Sequence, residues 1–451
     1  MAKPNRRDFL KGIGAGAIVG AIAGFTGGWL GKPAGVEEVV RTVTRTVTSE
    51  VTKTVTAGKK VEEVVIAGIQ PCSGSAARLG TPALKATELA VELANKRGGI
   101  PSLGGAKIKL VTADASSDAK VCMSEVERII TTYNPSAIVG ICCSYLTIAG
   151  SEVSERYHVP MVCSTISDRI TGRGFKYIFQ TAPKGSQFGE FQVKCVIELG
   201  KVYGWTPKSI AIVYEETDYG TTTAEGIKKT AEKYGLDVVL YDSYPHGITD
   251  ASDLVARIMA SGAEALYPVS YITDAILIIK TLRDAGGNQV VVGGGAGYIM
   301  PEFIEALGDR ANYVISVGSV DYSANLPGVK YINELYKKAT GEKFLWEYGI
   351  ETFTDTFVVL DAINRAASTD PEDVRDALAE TDLDAYDLSN LFWLGACRPG
   401  AHIKFDETGW NYMTYPVVIE ILNGEHITIY PPELATPGAK PVWPPPGLVK
   451  T

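Results

Sequence analysis

Serine, threonine, tyrosine and glycine, with little charge, fill six segments that each follow a short apolar run: Gln70–Gly80, Cys142–Thr147, Ser164–Asp168, Glu215–Thr222, Ser270–Asp274 and Gly293–Tyr298. Hydroxyls, phenols and backbone amides suit the hydrogen bonding of a small polar molecule and not its chemical conversion. The four histidines, His158, His246, His402 and His426, lie outside these segments, so neither a Ser-His-Asp triad nor a His-rich metal site is predicted. Gly293-Gly294-Gly295-Ala296-Gly297 lacks the Lys-Ser/Thr of a phosphate loop and the GxGxxG spacing before a helix; it reads as a plain flexible loop. The expectation is a binding protein, not an enzyme, with no cofactor and no metal.

The elements that must position these segments alternate regularly. Glu63–Ile69, Lys107–Ala113, Ser136–Ile141 and Val159–Cys163 read as strands, with helical patterns at Leu79–Arg97, Ala119–Tyr133 and Leu146–Tyr157 between them. The pattern then restarts, with strands at Ser209–Tyr214, Asp237–Tyr241, Glu264–Val269 and Gln289–Gly293 around helices Tyr219–Tyr234, Ser252–Ala260 and Thr273–Ala285. Such alternation means βαβ units and parallel sheets, so the expected fold class is α/β with two doubly wound parallel-sheet lobes. After Tyr313–Val317 come helices Pro327–Ala339, Thr352–Ala367 and Pro371–Ala379, then strands Ile403–Phe405, Val417–Leu422 and Ile427–Tyr430 and a Pro-rich tail. In open parallel sheets, ligands sit beyond the carboxyl ends of the strands, which is where the six polar segments fall.

The chain is 45% hydrophobic and 21% charged, and the 390 or so residues after position 60 can bury a large core. Residues 1–60 carry ten Lys/Arg against four Asp/Glu, +6, which leaves −15 on the rest of a chain whose total is −9. An acidic body argues against nucleic acid as a partner. Asn5-Arg6-Arg7-Asp8-Phe9-Leu10-Lys11 followed by the uncharged Gly12–Gly31 resembles a twin-arginine export signal, with Asn5 where Ser or Thr is usual. An ordinary membrane anchor is the competing reading; both put the body outside the cytoplasm, because Lys3, Arg6, Arg7 and Lys11 hold the N-terminal side inside. No convincing cleavage site appears in Trp29–Gly35, so residues 1–35 are read as a signal or a retained tether, the only contact with the membrane. Residues 36–60, rich in Thr and Val, read as a stalk, with a short coiled coil as the alternative.

The motifs SGSAARLG (Ser73–Gly80), AVELANKRGG (Ala90–Gly99), Asp114-x3-Asp118-Ala119-Lys120, GRGFKYIFQT (Gly172–Thr181), AIVYEETDYG (Ala211–Gly220), FDETG (Phe405–Gly409) and YPPELA (Tyr430–Ala435), in this order, resemble the solute-binding proteins of branched-chain-amino-acid-type ABC transporters, a type I periplasmic binding fold. The resemblance spans about Val61 to Pro444. It implies two lobes joined by three crossovers, residues 61–182 with 320–395 and residues 183–319 with 396–451, closing on a small-molecule ligand and handing it to an ABC permease and its ATPase. An extracytoplasmic ligand sensor of the same fold is the alternative function. Carried over, the first-lobe site falls on Ser144, Thr165 and Ser167, whose hydroxyls would hold a ligand carboxylate or carbonyl; helix capping is the competing role. Tyr219 and Tyr271 match the cleft tyrosines of the second lobe, with core packing as the alternative.

Two departures stand out. The resemblance places a ligand-binding Glu where this chain has Gly295, and an aromatic wall where it has Leu79. Without that carboxylate an α-amino acid is disfavoured, unless Glu351, Asp274 or Glu215 reaches the cleft, and a small carboxylate or amide is expected instead. Seven cysteines, Cys72, Cys122, Cys142, Cys143, Cys163, Cys195 and Cys397, in an exported chain call for pairing. A bridge from Cys122 to Cys142 or Cys143 is one arrangement; Cys142 and Cys143 as free thiols lining the cleft beside Ser144 is the other.

Overall fold

The computed structural model describes residues 61–384, 399–400 and 402–447. The Arg6-Arg7 segment, the Thr/Val tract and Cys397 lie outside the described residues.

The run VVIAGI of β1 (Glu63–Gln70) is apolar without interruption because both faces of the strand are covered. Val64 and Ile66 pack with Ala86 and Ala90 of α1 (Ala77–Lys96). Ala67 and Ile69 turn the other way, onto Val126 and Ile129 of α2 (Ala119–Tyr133) and Leu146 of α3 (Ser144–Tyr157). Around β1 a five-stranded parallel sheet forms in the order β2-β1-β3-β4-β5, from β2 (Lys107–Asp114), β3 (Ile138–Val139), β4 (Met161–Cys163) and β5 (Ile178–Gln180).

The chain then enters α4 (Gly185–Tyr203) and a second sheet. Its strands are β6 (Ser209–Glu215), β7 (Asp237–Tyr244), β8 (Ala265–Val269), β9 (Val290–Gly293) and β10 (Ile315–Gly318), parallel throughout and ordered β10-β9-β8-β6-β7. The helices between them are α5 (Asp218–Lys233), α6 (Ser252–Ala260), α7 (Ile272–Asp284) and α8 (Pro301–Leu307). Helices α4 and α5 cross so closely that a Cβ on Gly189 would run into the Ile227 amide, and one on Gly226 into the backbone of Ser186.

After β10 the chain returns to the first sheet through α9 (Pro327–Thr340), α10 (Glu347–Ala366) and α11 (Pro371–Ala379). Phe357 and Val358 of α10 complete the face of β1 that α1 covers. A small antiparallel ladder follows, β11 (Asp382–Asp384) against β12 (His402–Lys404). Residues just beyond it still bond to the first sheet: Gln180 donates from its amide to Gly409 at 2.8 Å, and Asn411 donates back to the Gln180 carbonyl at 2.8 Å. Only with β13 (Val417–Leu422), antiparallel to β10, and β14 (Glu425–Tyr430) does the chain rejoin the second sheet. The return therefore falls after Asn411, not at the expected position 396, because FDETG is a turn on the first sheet, held by Asp406 Oδ1 accepting from the amides of Thr408 and Trp410.

The expected cysteine bridge is not formed. All six described cysteines are free. The Cys122 thiol points between α2 and α3 toward the Leu146 carbonyl, 3.4 Å away, and the Cys142 and Cys143 sulfurs stand 4.0 Å apart. Burial pushes the Cys122 thiol up to about 12, so it stays protonated.

Candidate functional site

Loops from the carboxyl ends of both sheets meet in one pocket. The first sheet brings Cys142 and Ser144 after β3, and Ser164, Thr165 and Ile166 after β4; the second brings Tyr219, Tyr271 and Ala296. Of the residues expected to bind ligand, Ser144, Thr165, Tyr219 and Tyr271 line this pocket. Ser144 Oγ already accepts from the Ser167 amide at 3.3 Å, which leaves its own hydrogen for an occupant. Thr165 Oγ1 donates to Thr147 Oγ1 at 3.1 Å, which leaves Thr165 lone pairs to accept. The loop that presents them is pinned from below by Gln180, whose Nε2 donates to the carbonyls of Thr165 and Ser167 and whose Oε1 accepts from Thr171.

Ser167 does not face the pocket. Its hydroxyl accepts from the Arg169 amide at 3.2 Å, so it closes the turn and places the amide that engages Ser144. The Tyr219 hydroxyl donates to the Gly294 carbonyl at 2.7 Å, and its ring meets that of Tyr271 at 5.1 Å, so both present aromatic faces to the pocket. Burial raises both phenols and keeps them neutral.

Gly295 is not part of the pocket wall; its neighbour Ala296 is. Leu79 and Cys143 line a second, outer pocket together with Tyr145, His246 and Asp274, and Tyr271 divides the two. His246 stands beyond the end of β7, with Nδ1 4.0 Å from Glu215 Oε2 and 3.9 Å from Asp274 Oδ2. The expectation that no histidine approaches the polar segments is thereby corrected; β7 ends at the same sheet edge as β6 and β8, and the residues just past it arrive there. Burial raises the carboxyls of both Glu215 and Asp274. Glu215 is committed to structure: its oxygens accept from the Thr217 amide and hydroxyl and the Gly220 amide, serving the first turn of α5.

The pocket residues that the polar-segment reading missed come from the residue after β10, from α10 and from α4. Ser319, Glu347, Tyr348 and Glu351 close the inner pocket, with Phe188 of α4 as a further wall. Glu347 accepts from the Ser319 amide. Burial, reinforced by the neighbouring Glu351, pushes the Glu347 carboxyl well above the usual carboxylate range. The exception left open in the sequence is met: Glu351 reaches the inner pocket from α10, together with Glu347, while Asp274 lines the outer one. Among the described residues no group of three or more His, Cys, Asp or Glu is arranged to hold a metal ion.

Comparison with known proteins agrees with this architecture. The chain is 29% identical over 380 residues to the Leu/Ile/Val-binding protein homolog 7 of Brucella abortus, covering 82% of this chain and 92% of that protein. It superposes on a leucine-binding protein of Thermotoga maritima with a TM-score of 0.70 at 22% identity, over 83% of this chain and 99% of the other. A branched-chain amino acid binding protein of Streptococcus pneumoniae in complex with isoleucine gives 0.69 at 22% identity, over 81% and 97%. A fatty acid ABC transporter binding protein of Thermomonospora curvata gives 0.68 at 22% identity, over 83% and 94%. The family described as periplasmic binding protein matches residues 63–409, most of the length, and this chain belongs to that family.

Proposed function

We propose that this protein is the extracytoplasmic solute-binding component of an ABC importer, which captures a small polar molecule, a carboxylate, amide or amino acid, between two closing lobes and delivers it to a permease driven by its ATPase. The observation that carries the reading is the inner pocket: hydroxyls from the first sheet face tyrosine rings from the second, so an occupant touching both draws the two sheets together. Neutral hydroxyl and amide donors bind a polar end reversibly, and among the described residues that line the pocket no nucleophile is paired with a base. Export by Arg6-Arg7 and retention by residues 12–31 as a tether belong to the same proposal.

The test is calorimetry on the purified protein against amino acids, carboxylates and amides, with small-angle scattering on the saturated complex. One-to-one binding, unchanged ligand on recovery and a more compact particle are expected. A chemically altered ligand, or scattering curves that overlay with and without ligand, would refute the proposal.

A further inference from the structure

Cys142 and Cys143 follow β3 and lead into α3, and their sulfurs face each other 4.0 Å apart. The backbone around the pair is held at both ends. Gln70 Oε1 accepts from the Cys142 amide at 2.9 Å, and the Cys143 carbonyl accepts from the Leu146 and Thr147 amides and from Thr147 Oγ1. Cys143 immediately precedes the first turn of α3, yet its side chain makes no capping bond to that helix. The sulfurs therefore need only turn about their side-chain torsions to meet. Their surroundings differ in room. Cys142 lines the inner pocket, with a free volume of about 20 Å³, and Cys143 lines the outer pocket, with about 240 Å³. One water takes roughly 10–15 Å³ of such volume, so a small reagent reaches Cys143 and not Cys142.

We propose that Cys142 and Cys143 form a redox modification site, which a small peroxide oxidises to a bond between the two neighbours and thiols restore. A peroxide in the outer pocket meets Cys143 first. The Cys143 sulfur takes one hydroxyl of hydrogen peroxide as the O–O bond breaks, and the thiol proton leaves with the other hydroxyl as water. The Cys142 sulfur then attacks the sulfenic sulfur. The S–S bond forms as the S–O bond breaks, and the hydroxyl departs with the Cys142 proton as a second water. Two thiols have given up two electrons, and one peroxide has taken them. Burial pushes the Cys142 thiol well above the ordinary range, so it stays protonated and inert until a sulfenic acid is placed against it. Cys122 is engaged elsewhere, with its thiol on the Leu146 carbonyl at 3.4 Å.

The bond changes the pocket because of where the pair sits. It draws the sulfurs from 4.0 Å to about 2.05 Å and takes both off the walls they now form. The adjustment falls on the peptide between them, directly ahead of Ser144. Ser144 Oγ accepts from the Ser167 amide at 3.3 Å, so a shift there loosens the contact between the two first-sheet loops and the first turn of α3. Neighbouring Cα atoms lie about 3.8 Å apart, short of the roughly 4.4–6.8 Å usual for a disulfide, so the bridge is strained and readily reduced. It is a reversible mark and not a permanent staple. The site acts the same way whichever solute the pocket takes.

The test treats the reduced full-length protein with hydrogen peroxide, blocks the remaining thiols under denaturing conditions and maps tryptic peptides by mass spectrometry. Residues 129–156, bounded by Arg128 and Arg156, leave as one peptide whose only cysteines are Cys142 and Cys143 and which has no methionine. That peptide is expected to lose two hydrogens, to escape the thiol block and to regain both thiols with dithiothreitol. Cys142→Ser should stop at a Cys143 sulfenic acid that dimedone traps, and Cys143→Ser should leave Cys142 unoxidised. Hydrogen exchange over residues 144–150 of the unliganded protein should quicken by about threefold or more on oxidation and return on reduction. Peroxide that leaves both thiols free overturns the proposal, as do a cross-link from this peptide to Cys122 or Cys72, dimedone on Cys142 in place of Cys143, or unchanged exchange in the oxidised protein. The peptide map of the unsubstituted protein decides the matter even where a variant fails to fold.

Discussion

Substituting Gly295 tests whether the second sheet can carry a ligand-binding carboxylate in this chain. If the glycine were simply a lost glutamate, Gly295→Glu would restore an amino-acid site at little cost. The backbone argues otherwise. Gly295 has φ +89° and ψ −147°, a region open in practice only to glycine, where another residue costs of order 1–3 kcal/mol. A Cβ there would stand 2.9 Å from the Val317 carbonyl oxygen and 3.2 Å from the Phe188 ring. The carbonyl is part of β10 and cannot swing away, so the contact adds roughly 1–3 kcal/mol of overpacking. Gly295→Ala is therefore expected to destabilise the protein by about 2–6 kcal/mol, and Gly295→Glu by at least as much. Because Phe188 is also a wall of the inner pocket, ligand affinity should fall with stability and not rise. Urea unfolding followed by tryptophan fluorescence measures the first effect and calorimetry the second. A Gly295→Ala protein within about 0.5 kcal/mol of the parent would refute the reasoning, as would a Gly295→Glu protein that gains leucine affinity.

Ser144→Ala removes a pocket hydroxyl and the acceptor of the Ser167 amide, and should cost roughly 1–3 kcal/mol of affinity for the tightest probe by calorimetry; unchanged binding would remove Ser144 from the site. Glu420 is held by the Val442 amide yet raised by burial to about 7 from an ordinary 4.5, so its charged form is disfavoured in the folded state. Stability should therefore fall as pH rises from about 4.5 to 7 and stay lower above that. Glu420→Gln should recover up to about 3 kcal/mol at pH 8 and match the parent at pH 4 in urea unfolding; equal gains at both pH values would show that the carboxyl is not the cause. Replacing Arg6 and Arg7 together with lysine should trap the protein in the cytoplasm, as fractionation would detect, and unimpaired export would count against the twin-arginine reading.

What was legible in the sequence follows from how local each signal is. β1, β2 and α2 were within reach because an apolar strand or a 3.6-residue stripe reports packing on the nearest neighbour. The segments that hold Ser144 and Thr165 were legible for the same reason, since each follows a strand whose carboxyl end faces the pocket, while the choice of those two residues came from the family resemblance. Helix α4 was not: its glycines 185, 189 and 200 dilute the helical signal, and at Gly189 the glycine exists for the sake of the crossing with α5. The helical pattern reads from Thr352, five residues after the start of α10, so Glu347 is missed and Glu351 is visible only as a carboxylate that could reach the cleft. The helix is buried on nearly every side, so its Glu, Thr and Asp residues look like a solvated face in sequence although they are interior. Their place in the pocket comes from a crossover that carries the chain from β10 back to the first sheet and lays the helix start against walls that lie roughly 30 to 200 residues earlier. Gly295 describes one loop, whereas the charge of a cleft is set by every element that reaches it, which is why the sequence left Glu351, Asp274 and Glu215 open as carboxylates of the site and the fold brings Glu351 to the inner pocket.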